Sequence, residues 1–199
     1  MAQPDTEPLK HTPLHAAHVR LGARMIGFGG WDMPVQYAGI VEEHRTVRTA
    51  VGCFDVSHMG EFELRGPDAT RALQRLTTND VGALEVGQVQ YSLLCYEDGG
   101  IVDDLTLYRL AGDEYMMTVN AANIDKDWSW VSGRLDGRVE ARNASADTGL
   151  IAVQGPRAEA LLGRLADVDV AGIGYYRFAR GRVAGVPGIV SRTCYTGED

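Results

Sequence analysis

A fifteen-residue pattern occurs twice in this 199-residue chain. Residues 62–76 read FELRGPDATRALQRL, and residues 151–165 read IAVQGPRAEALLGRL. In both segments a strand-like stretch leads through Gly-Pro into an Ala/Leu-rich helix that ends in Arg-Leu. Glycine permits a sharp strand-to-helix turn, and proline suits the first turn of a helix, where no N–H donor is required. The repeat predicts two related substructures around one core, with a ligand cleft between them.

The segment between the two copies has the period of a β-structure. Residues 91–110 alternate apolar and polar positions around the turn sequence Glu-Asp-Gly-Gly at 97–100, and residues 114–120 alternate again. This pattern predicts an antiparallel meander over 91–119. Helical spacing of apolar residues predicts helices within 11–25, 39–51 and 120–135. Short strands mixed with helices, without regular βαβ alternation, indicate an α+β fold of antiparallel sheets with packed helices.

Composition excludes several classes of function. The net charge is −8, and Lys and Arg are not clustered, which argues against nucleic-acid binding because phosphate neutralisation needs a basic patch. No apolar run is long enough to span a bilayer, and the first residues do not resemble a signal peptide, so we expect a cytoplasmic protein that is not bound to a membrane. Cys53, Cys95 and Cys194 lack C-x-x-C spacing, and we expect buried, reduced thiols.

Three histidines near the N-terminus are a candidate metal site. His11, His15 and His18 are spaced i, i+4 and i+7, so they would share one face of a helix. However, Thr12-Pro13 indicates that the helix begins after His11, and no Cys or carboxylate has obvious ligand spacing. A metal needs three or four converging donors, and we therefore expect no metal site.

Asp103 and Asp104 are adjacent carboxylates at the beginning of a predicted strand. Neighbouring residues of a strand point to opposite faces, so both side chains are not expected in one pocket. One carboxylate would cap the turn or pair at the surface, and the other would face inward, where it could handle a proton or stabilise a cation. The pattern alone leaves open the simpler interpretation of two turn carboxylates.

Five tyrosines on separate strand-like segments could flank a flat heterocycle: Tyr91, Tyr108, Tyr175, Tyr176 and Tyr195.

Six ordered motifs go beyond these general patterns. They are TPLHAAHVRLGARMIGFGGWDMPVQY, VRTAVGCFDVSHMGEFELRGPDA, GGIVDDLTLY, VNAANIDKDWSW, ALLGRL followed by YYRF, and SRTCYTGED. Together they closely resemble the T protein of the glycine cleavage system, a tetrahydrofolate-dependent aminomethyltransferase. The resemblance implies transfer of a one-carbon unit from the aminomethyl-lipoyl arm of the H protein to tetrahydrofolate, with release of ammonia. Tetrahydrofolate would be a substrate, and the lipoylated H protein would be the partner.

The resemblance also implies roles for individual residues. The catalytic aspartate of the family matches Asp104, where it would assist attack on the aminomethyl carbon, and Asp103 would support it. Residues of the folate pocket match Tyr91, Asn120 and Tyr195, and Met59 matches a position near the channel. Two further tyrosines, Tyr108 and Tyr176, are included as candidate folate-binding residues.

The resemblance further implies a domain organisation. In the family, two interleaved domains and a C-terminal barrel surround a central hole. We expect residues 1–8 to be a flexible lead and 9–199 to form a truncated version of the first two domains, without the barrel. The glutamate and arginine that complete the folate site of the family would then be absent, so we expect this chain alone to bind folate weakly or not at all.

Two alternative functions remain open at this stage. Cys194 stands where the T protein usually has glycine, and a related folate-binding protein that supports iron–sulfur cluster assembly has Cys at the matching position. A second alternative is the folate module of a sarcosine-type oxidase. An assay of glycine synthesis by the complete enzyme with Cys194→Gly would distinguish the transferase from the iron–sulfur alternative. Unchanged activity would favour the transferase.

Overall fold

The computed structural model describes residues 8–193 and residue 197. Most of the expected lead, together with Cys194 and Tyr195, therefore lies outside the described residues. The helices are α1 His15–Arg20, α2 Ile40–Thr49, α3 Ala69–Leu76, α4 Ile124–Ser132 and α5 Ala158–Leu162. The strands are β1 Arg24–Phe28, β2 Trp31–Gln36, β3 Gly52–Asp55, β4 Gly60–Arg65, β5 Val89–Cys95, β6 Ile101–Ala111, β7 Glu114–Val119, β8 Glu140–Asn143, β9 Ile151–Gln154, β10 Arg177–Val183 and β11 Val186–Arg192.

The largest sheet has five antiparallel strands in the order β5-β6-β7-β4-β8. It contains the predicted meander, and the turn between β5 and β6 lies where the Glu-Asp-Gly-Gly sequence indicated. Alternate residues of β4, β6 and β7 are fully buried on one face, among them Phe62, Leu107 and Met117. This face packs against α3 and α4, which contribute Leu73 and Val131 to the same core. The α+β prediction is confirmed.

The sequence repeat corresponds to a structural repeat. Gly66 follows β4 and Gly155 follows β9, both with positive φ (132° and 125°), and a short helix begins soon after each. A Cβ atom at either position would collide with a main-chain oxygen, of Arg138 at Gly66 and of Val47 at Gly155. Glycine is required at both turns because other residues rarely adopt this φ.

The two copies continue beyond the fifteen matching residues. In the first, Leu84 N–H donates to the carbonyl of Val81, and in the second Ile173 N–H donates to the carbonyl of Val170. The second copy then leads into the β10–β11 hairpin, whose small core includes Val170, Ile173 and Val190. The same local structure is therefore built twice, with β4 in the five-stranded sheet and β9 paired with β3.

The N-terminal segment is more extended than predicted. The expected helix over 11–25 is limited to α1, and Met25 lies in strand β1 of the β1–β2 hairpin. Gly22, with φ of 76°, follows the helix and allows the chain to reverse. The helix predicted for 39–51 is observed as α2, and the one predicted for 120–135 as a short 3-10 turn followed by α4.

Two smaller expectations concern the whole chain. Cys53 and Cys95 are free cysteines, but Cys53 is exposed and Cys95 is half-buried, so the expectation that these thiols are buried is wrong for both. Within the described residues, no helix combines the length and apolarity needed to cross a membrane.

Candidate functional site

Strand register brings three predicted site residues to one end of the five-stranded sheet. Val119, the last residue of β7, pairs with Leu105 of β6 on one side and with Gly60 of β4 on the other. The residues one position beyond these pairs are Asp104, Asn120 and Met59. Tyr91 of β5 lies opposite Thr106, two residues along β6 from Asp104, so their side chains share a face.

The carboxylate of Asp104 receives a hydrogen bond on each oxygen. The Tyr91 hydroxyl donates to Oδ2 at 3.1 Å, and Asn120 Nδ2 donates to Oδ1 at 2.8 Å. The pKa of Tyr91 is raised, because its hydroxyl donates to the carboxylate of Asp104. Three residues that the sequence analysis assigned to the site are thus in direct contact.

The adjacent carboxylates contact the same amide, contrary to expectation. Asn120 Nδ2 donates to Asp103 Oδ1 at 2.9 Å as well as to Asp104 Oδ1. Asp103 is the buried carboxylate, 7% exposed, and Asp104 is half-buried, so the carboxylate that the resemblance assigns to catalysis is the more exposed of the two. The side chains do leave opposite faces of β6, but Asn120 lies just beyond β7, where no sheet pairing restrains its side chain from reaching both.

Asp127 of α4 is a buried carboxyl beside Asp103. Asp127 is completely buried, and neither of its oxygens has a hydrogen-bond donor in range within the described residues. Burial, reinforced by the neighbouring Asp103, raises the pKa of Asp127 to about 8. Burial alone would raise the pKa of Asp103, but hydrogen bonds from Asp127 and Asn120 lower it. The pair is therefore best described as a protonated Asp127 that donates to an ionised Asp103.

Lys126 also borders this pair. Its Nζ lies 3.7 Å from Asp127 Oδ1 and donates to the main-chain oxygen of Val102. The ammonium opposes the rise of the Asp127 pKa without cancelling it. Hydrogen bonds thus connect the half-buried Asp104, through the Asn120 amide, to Asp103. The protonated carboxyl of Asp127 lies beside Asp103 in the core.

Tyr108 is not part of this cluster. It is buried beneath the β10–β11 hairpin, where its ring packs against Phe178 with centroids 5.5 Å apart, and its hydroxyl lies 3.3 Å from Ser191 Oγ. These contacts give it a packing role between the sheet and the hairpin. Tyr108 lies on the same face of β6 as Asp104, four residues along the strand, and its assignment to a ligand pocket stays a prediction.

Tyr176 has an unusual backbone conformation next to the cluster. Its φ is 56°, in the left-handed region, whereas Gly87 occupies the equivalent position of the first repeat with φ of 85°. Its carbonyl accepts from Val89 N–H at the edge of β5, and its ring packs edge-on against Tyr175. A tyrosine held in this region costs about 1 kcal/mol or more. Such strain is typical of positions retained for function, and Tyr176 contributes to the raised pKa of Tyr91.

Glu61 is a further buried carboxyl that the sequence analysis did not identify. It lies on the same face of the sheet as Asp104, because Glu61 pairs with Thr118, and Thr118 pairs with Thr106. It is 2% exposed, and neither carboxyl oxygen has a hydrogen-bond partner among the described residues. Burial raises its pKa to about 8. Tyr91, Thr106, Thr118 and Glu61 thus form one cross-strand row.

The predicted histidine face divides into two parts. His18 is buried and bonded through Nε2 to Asp55 at 2.8 Å and through Nδ1 to the Tyr37 hydroxyl at 2.7 Å, which explains it as a structural residue. Hydrogen bonds from His18 and other donors lower the pKa of Asp55, although burial alone would raise it. His11 and His15 lie apart from this contact, stacked on one another.

The arrangement around Asp104 suits chemistry at an amine or at a cationic carbon. Each carboxylate oxygen has lone pairs beyond the one that its present donor uses. A carboxylate held in place in this way can accept an N–H from an attacking amine or stabilise a neighbouring positive charge.

Comparison with solved structures gives the class of protein. The fold matches that of the glycine cleavage system aminomethyltransferase T from Bartonella henselae with a TM-score of 0.88 and 33% sequence identity, over 96% of this chain and 52% of that one. The fold also matches, with a TM-score of 0.52 and 18% identity over 76% of each chain, the heterotetrameric sarcosine oxidase from Corynebacterium sp. U-96. The class is therefore the aminomethyltransferase fold.

Sequence comparison gives the family. The family model of the GCVT N-terminal domain matches residues 14–199, and the chain belongs to this family. It is 53% identical over 192 residues to the aminomethyltransferase of Geobacillus kaustophilus and 51% identical over 195 residues to that of Listeria monocytogenes serotype 4b. These alignments cover 96% and 98% of the chain but 53% and 54% of the relatives, so the chain spans about half the length of the relatives it matches. Both relatives are named aminomethyltransferases.

Proposed function

We propose that the chain supplies the Asp104 part of the active site of a tetrahydrofolate-dependent aminomethyltransferase of the glycine cleavage system. The observation that carries the proposal is the carboxylate of Asp104 held between the Tyr91 hydroxyl and the Asn120 amide. The resemblance implies the same three residues, Asp104 as the catalytic aspartate and Tyr91 and Asn120 as residues of the folate pocket. The similarity to aminomethyltransferases over 96% of the chain supports the same reaction class.

In the proposed reaction, an amine nitrogen of tetrahydrofolate attacks the aminomethyl carbon carried by the lipoyl arm of the H protein. As this C–N bond forms, the C–S bond breaks and its electron pair leaves with the lipoyl sulfur, while Asp104 accepts the N–H of the attacking amine and the proton passes to the thiolate. Ammonia then leaves from the same carbon, and Asp104 stabilises the iminium charge that develops. Attack by the second amine of tetrahydrofolate, with loss of its proton, completes methylenetetrahydrofolate. Tyr91 and Asn120 position the carboxylate, because each donates one hydrogen bond to a different oxygen. Asp103 holds the Asn120 amide from the buried side.

Three other predicted folate-binding residues are considered by their positions in the fold or in the sequence. Met59 lies beside Asn120 at the end of the sheet, and Tyr176 lies near Tyr91, so both are proposed to border the folate. Tyr195, outside the described residues, keeps its proposed folate-pocket role from the sequence resemblance alone.

The reaction is proposed to take place in the cytoplasm, in keeping with the free thiols of Cys53 and Cys95, which are usual in a reducing compartment.

A titration followed by NMR tests the folate site on the chain as it exists. The isotopically labelled chain is titrated with tetrahydrofolate under reducing conditions. We expect weak binding, with the largest amide shifts at Asp104, Asn120 and Tyr91, and we expect Asp104→Asn to reduce those shifts. Asp113→Asn is the matched control, because Asp113 is an exposed aspartate in the turn at the other end of β6.

Two outcomes of the titration are informative in different ways. Shifts confined to residues away from the Asp104 cluster would contradict the proposed site. A dissociation constant in the low micromolar range, with shifts at the cluster, would support the site but contradict the expectation of weak binding by this chain alone.

A further inference from the structure

A second group of polar side chains lies in the N-terminal segment, outside the Asp104 cluster. His11, His15 and Asp32 each present a ligand atom, and these atoms all lie within 4.8 Å of one another. His15 Nε2 is 2.8 Å from Asp32 Oδ2. The rings of His11 and His15 are stacked with centroids 3.6 Å apart and an interplanar angle of 3°. The histidine spacing alone predicted no carboxylate beside His11 and His15, and the fold supplies one in Asp32.

Main-chain and buried side-chain contacts hold this group together. Lys10 N–H donates to the carbonyl of Gly30, and Asp32 N–H donates to the carbonyl of Lys10, so His11 follows directly from a segment paired with β2. Thr12 Oγ1 donates to the carboxylate of Asp55 at 2.6 Å, and the same carboxylate also bonds to His18. These contacts on both sides of the stacked rings restrict how far the three ligand residues can separate.

The three side chains remain accessible to an ion. His15 and Asp32 have 18% and 24% of their side-chain surface exposed, and His11 is exposed. An ion could therefore enter from solvent, and water could complete its coordination. Sites with three protein ligands and one water are common for Zn²⁺.

We propose that His11, His15 and Asp32 form a binding site for a divalent transition-metal ion of the Zn²⁺ type. Two imidazoles and one carboxylate are a donor set that Zn²⁺ accepts. Tetrahedral Zn²⁺ with metal–nitrogen bonds of about 2.0–2.1 Å places ligand atoms about 3.4 Å apart. The observed separations, from 2.8 Å to at most 4.8 Å, lie on both sides of this value. The bound ion would link the segment before α1, α1 itself and β2.

A simple ion pair accounts for only part of the arrangement. His15 and Asp32 alone would form such a pair, but the pair leaves out His11, whose ring offers a ligand atom within 4.8 Å of both partners. Imidazole lone pairs lie in the ring plane, so one of the two parallel rings turns about its side-chain torsions when both nitrogens bind one ion.

Calorimetric titration with ZnCl₂ tests the site on the untagged 199-residue chain after treatment with EDTA. We expect one ion per chain with a dissociation constant in the micromolar range. We also expect the melting temperature to rise by about 5 °C at a hundredfold excess over that constant. His11→Ala and Asp32→Asn should each weaken binding at least tenfold. Both positions are partly exposed, and circular dichroism would show whether each variant retains the fold.

Controls separate this site from other donors in the chain. His44→Ala, which removes an exposed imidazole of α2, should leave binding unchanged. With Co²⁺ as the probe, the absorption spectrum should show nitrogen and oxygen ligation without the charge-transfer band of a thiolate. Failure of the wild-type chain to bind Zn²⁺ below 100 μM, equal binding by His11→Ala and wild type, or a thiolate spectrum would each overturn the proposal. None of these outcomes depends on the proposed folate site.

Discussion

Replacement of Glu61 by Gln should remove part of the pH dependence of stability. In the folded chain Glu61 is 2% exposed, and its carboxyl oxygens have no hydrogen-bond partner among the described residues. Burial raises its pKa from the ordinary 4.5 to about 8, so the folded state keeps a proton that the unfolded chain loses. Between pH 4.5 and 8 the folded state therefore binds more protons, and stability falls as the pH rises.

The size of the effect follows from the two pKa values. With 1.36 kcal/mol per pKa unit, linkage gives a loss of about 3.5 kcal/mol from Glu61 between pH 5 and pH 8. Glutamine is similar in size but does not titrate, so Glu61→Gln should lack this part of the slope and become more stable than wild type at pH 8.

Urea unfolding followed by tryptophan fluorescence at pH 5, 6, 7 and 8 measures the slope. Asp127 contributes a slope of the same sign in both proteins, so the difference between the two pH profiles isolates Glu61. Glu63→Gln is the matched control, because Glu63 lies on the same face but is paired with Arg142 and Arg65. Parallel profiles for wild type and Glu61→Gln, with equal dependence on urea, would refute the reasoning.

Three further predictions concern other buried or strained positions. Asp127→Asn should retain a hydrogen bond to Asp103 and lack the loss of stability that wild type shows between about pH 4 and pH 8, where the unfolded chain ionises Asp127 and the folded chain does not; urea unfolding at pH 5 and pH 8 measures this, and equal pH dependence in both proteins would contradict it. Tyr176→Ala should be less stable than Tyr176→Gly by about 1 kcal/mol, because only glycine adopts a positive φ without strain; equal thermal stability would contradict the assignment of strain. Gly66→Ala and Gly155→Ala should each destabilise the chain by about 2 kcal/mol or more, because a Cβ collides with a main-chain oxygen at both turns; thermal unfolding within 1 °C of wild type would show that the turns can relax.

Much of the fold could be predicted from local patterns. The meander follows from the alternation in 91–119 and from the turn at 97–100, because the period of two has a direct physical cause in strand geometry. The repeated Gly-Pro turns could likewise be predicted, since φ near 130° favours glycine at Gly66 and Gly155. The strand at Arg24–Phe28 was missed because Met25 continues the helical spacing, and pairing with β2 outweighs that local preference.

The site could be predicted only in part. The motif resemblance assigns Tyr91, Asp104 and Asn120 to one candidate site, and strand register explains why these residues meet. The burial of Asp103 depends on packing against α4 and has no local signal. Asp127 did carry a signal, because it lies three residues after Ile124, on the face of α4 that packs into the core. The convergence of Asp32 with His11 depends on main-chain pairing between distant segments and could not be inferred from the histidine spacing.

The most direct test of the proposed function compares the turnover of two variants, one with Asp103 and one with Asp104 replaced by Asn. Residues 9–193 would replace the aligned segment of the Geobacillus kaustophilus aminomethyltransferase, to which the chain is 53% identical. Formation of methylenetetrahydrofolate from aminomethylated H protein is then measured per mole of folded enzyme. Asp104→Asn should lower kcat about 100-fold or more, the range expected for loss of a group that assists proton transfer. Asp103→Asn should lower it less than tenfold, and equal losses would contradict the assignment of Asp104 as the catalytic carboxylate.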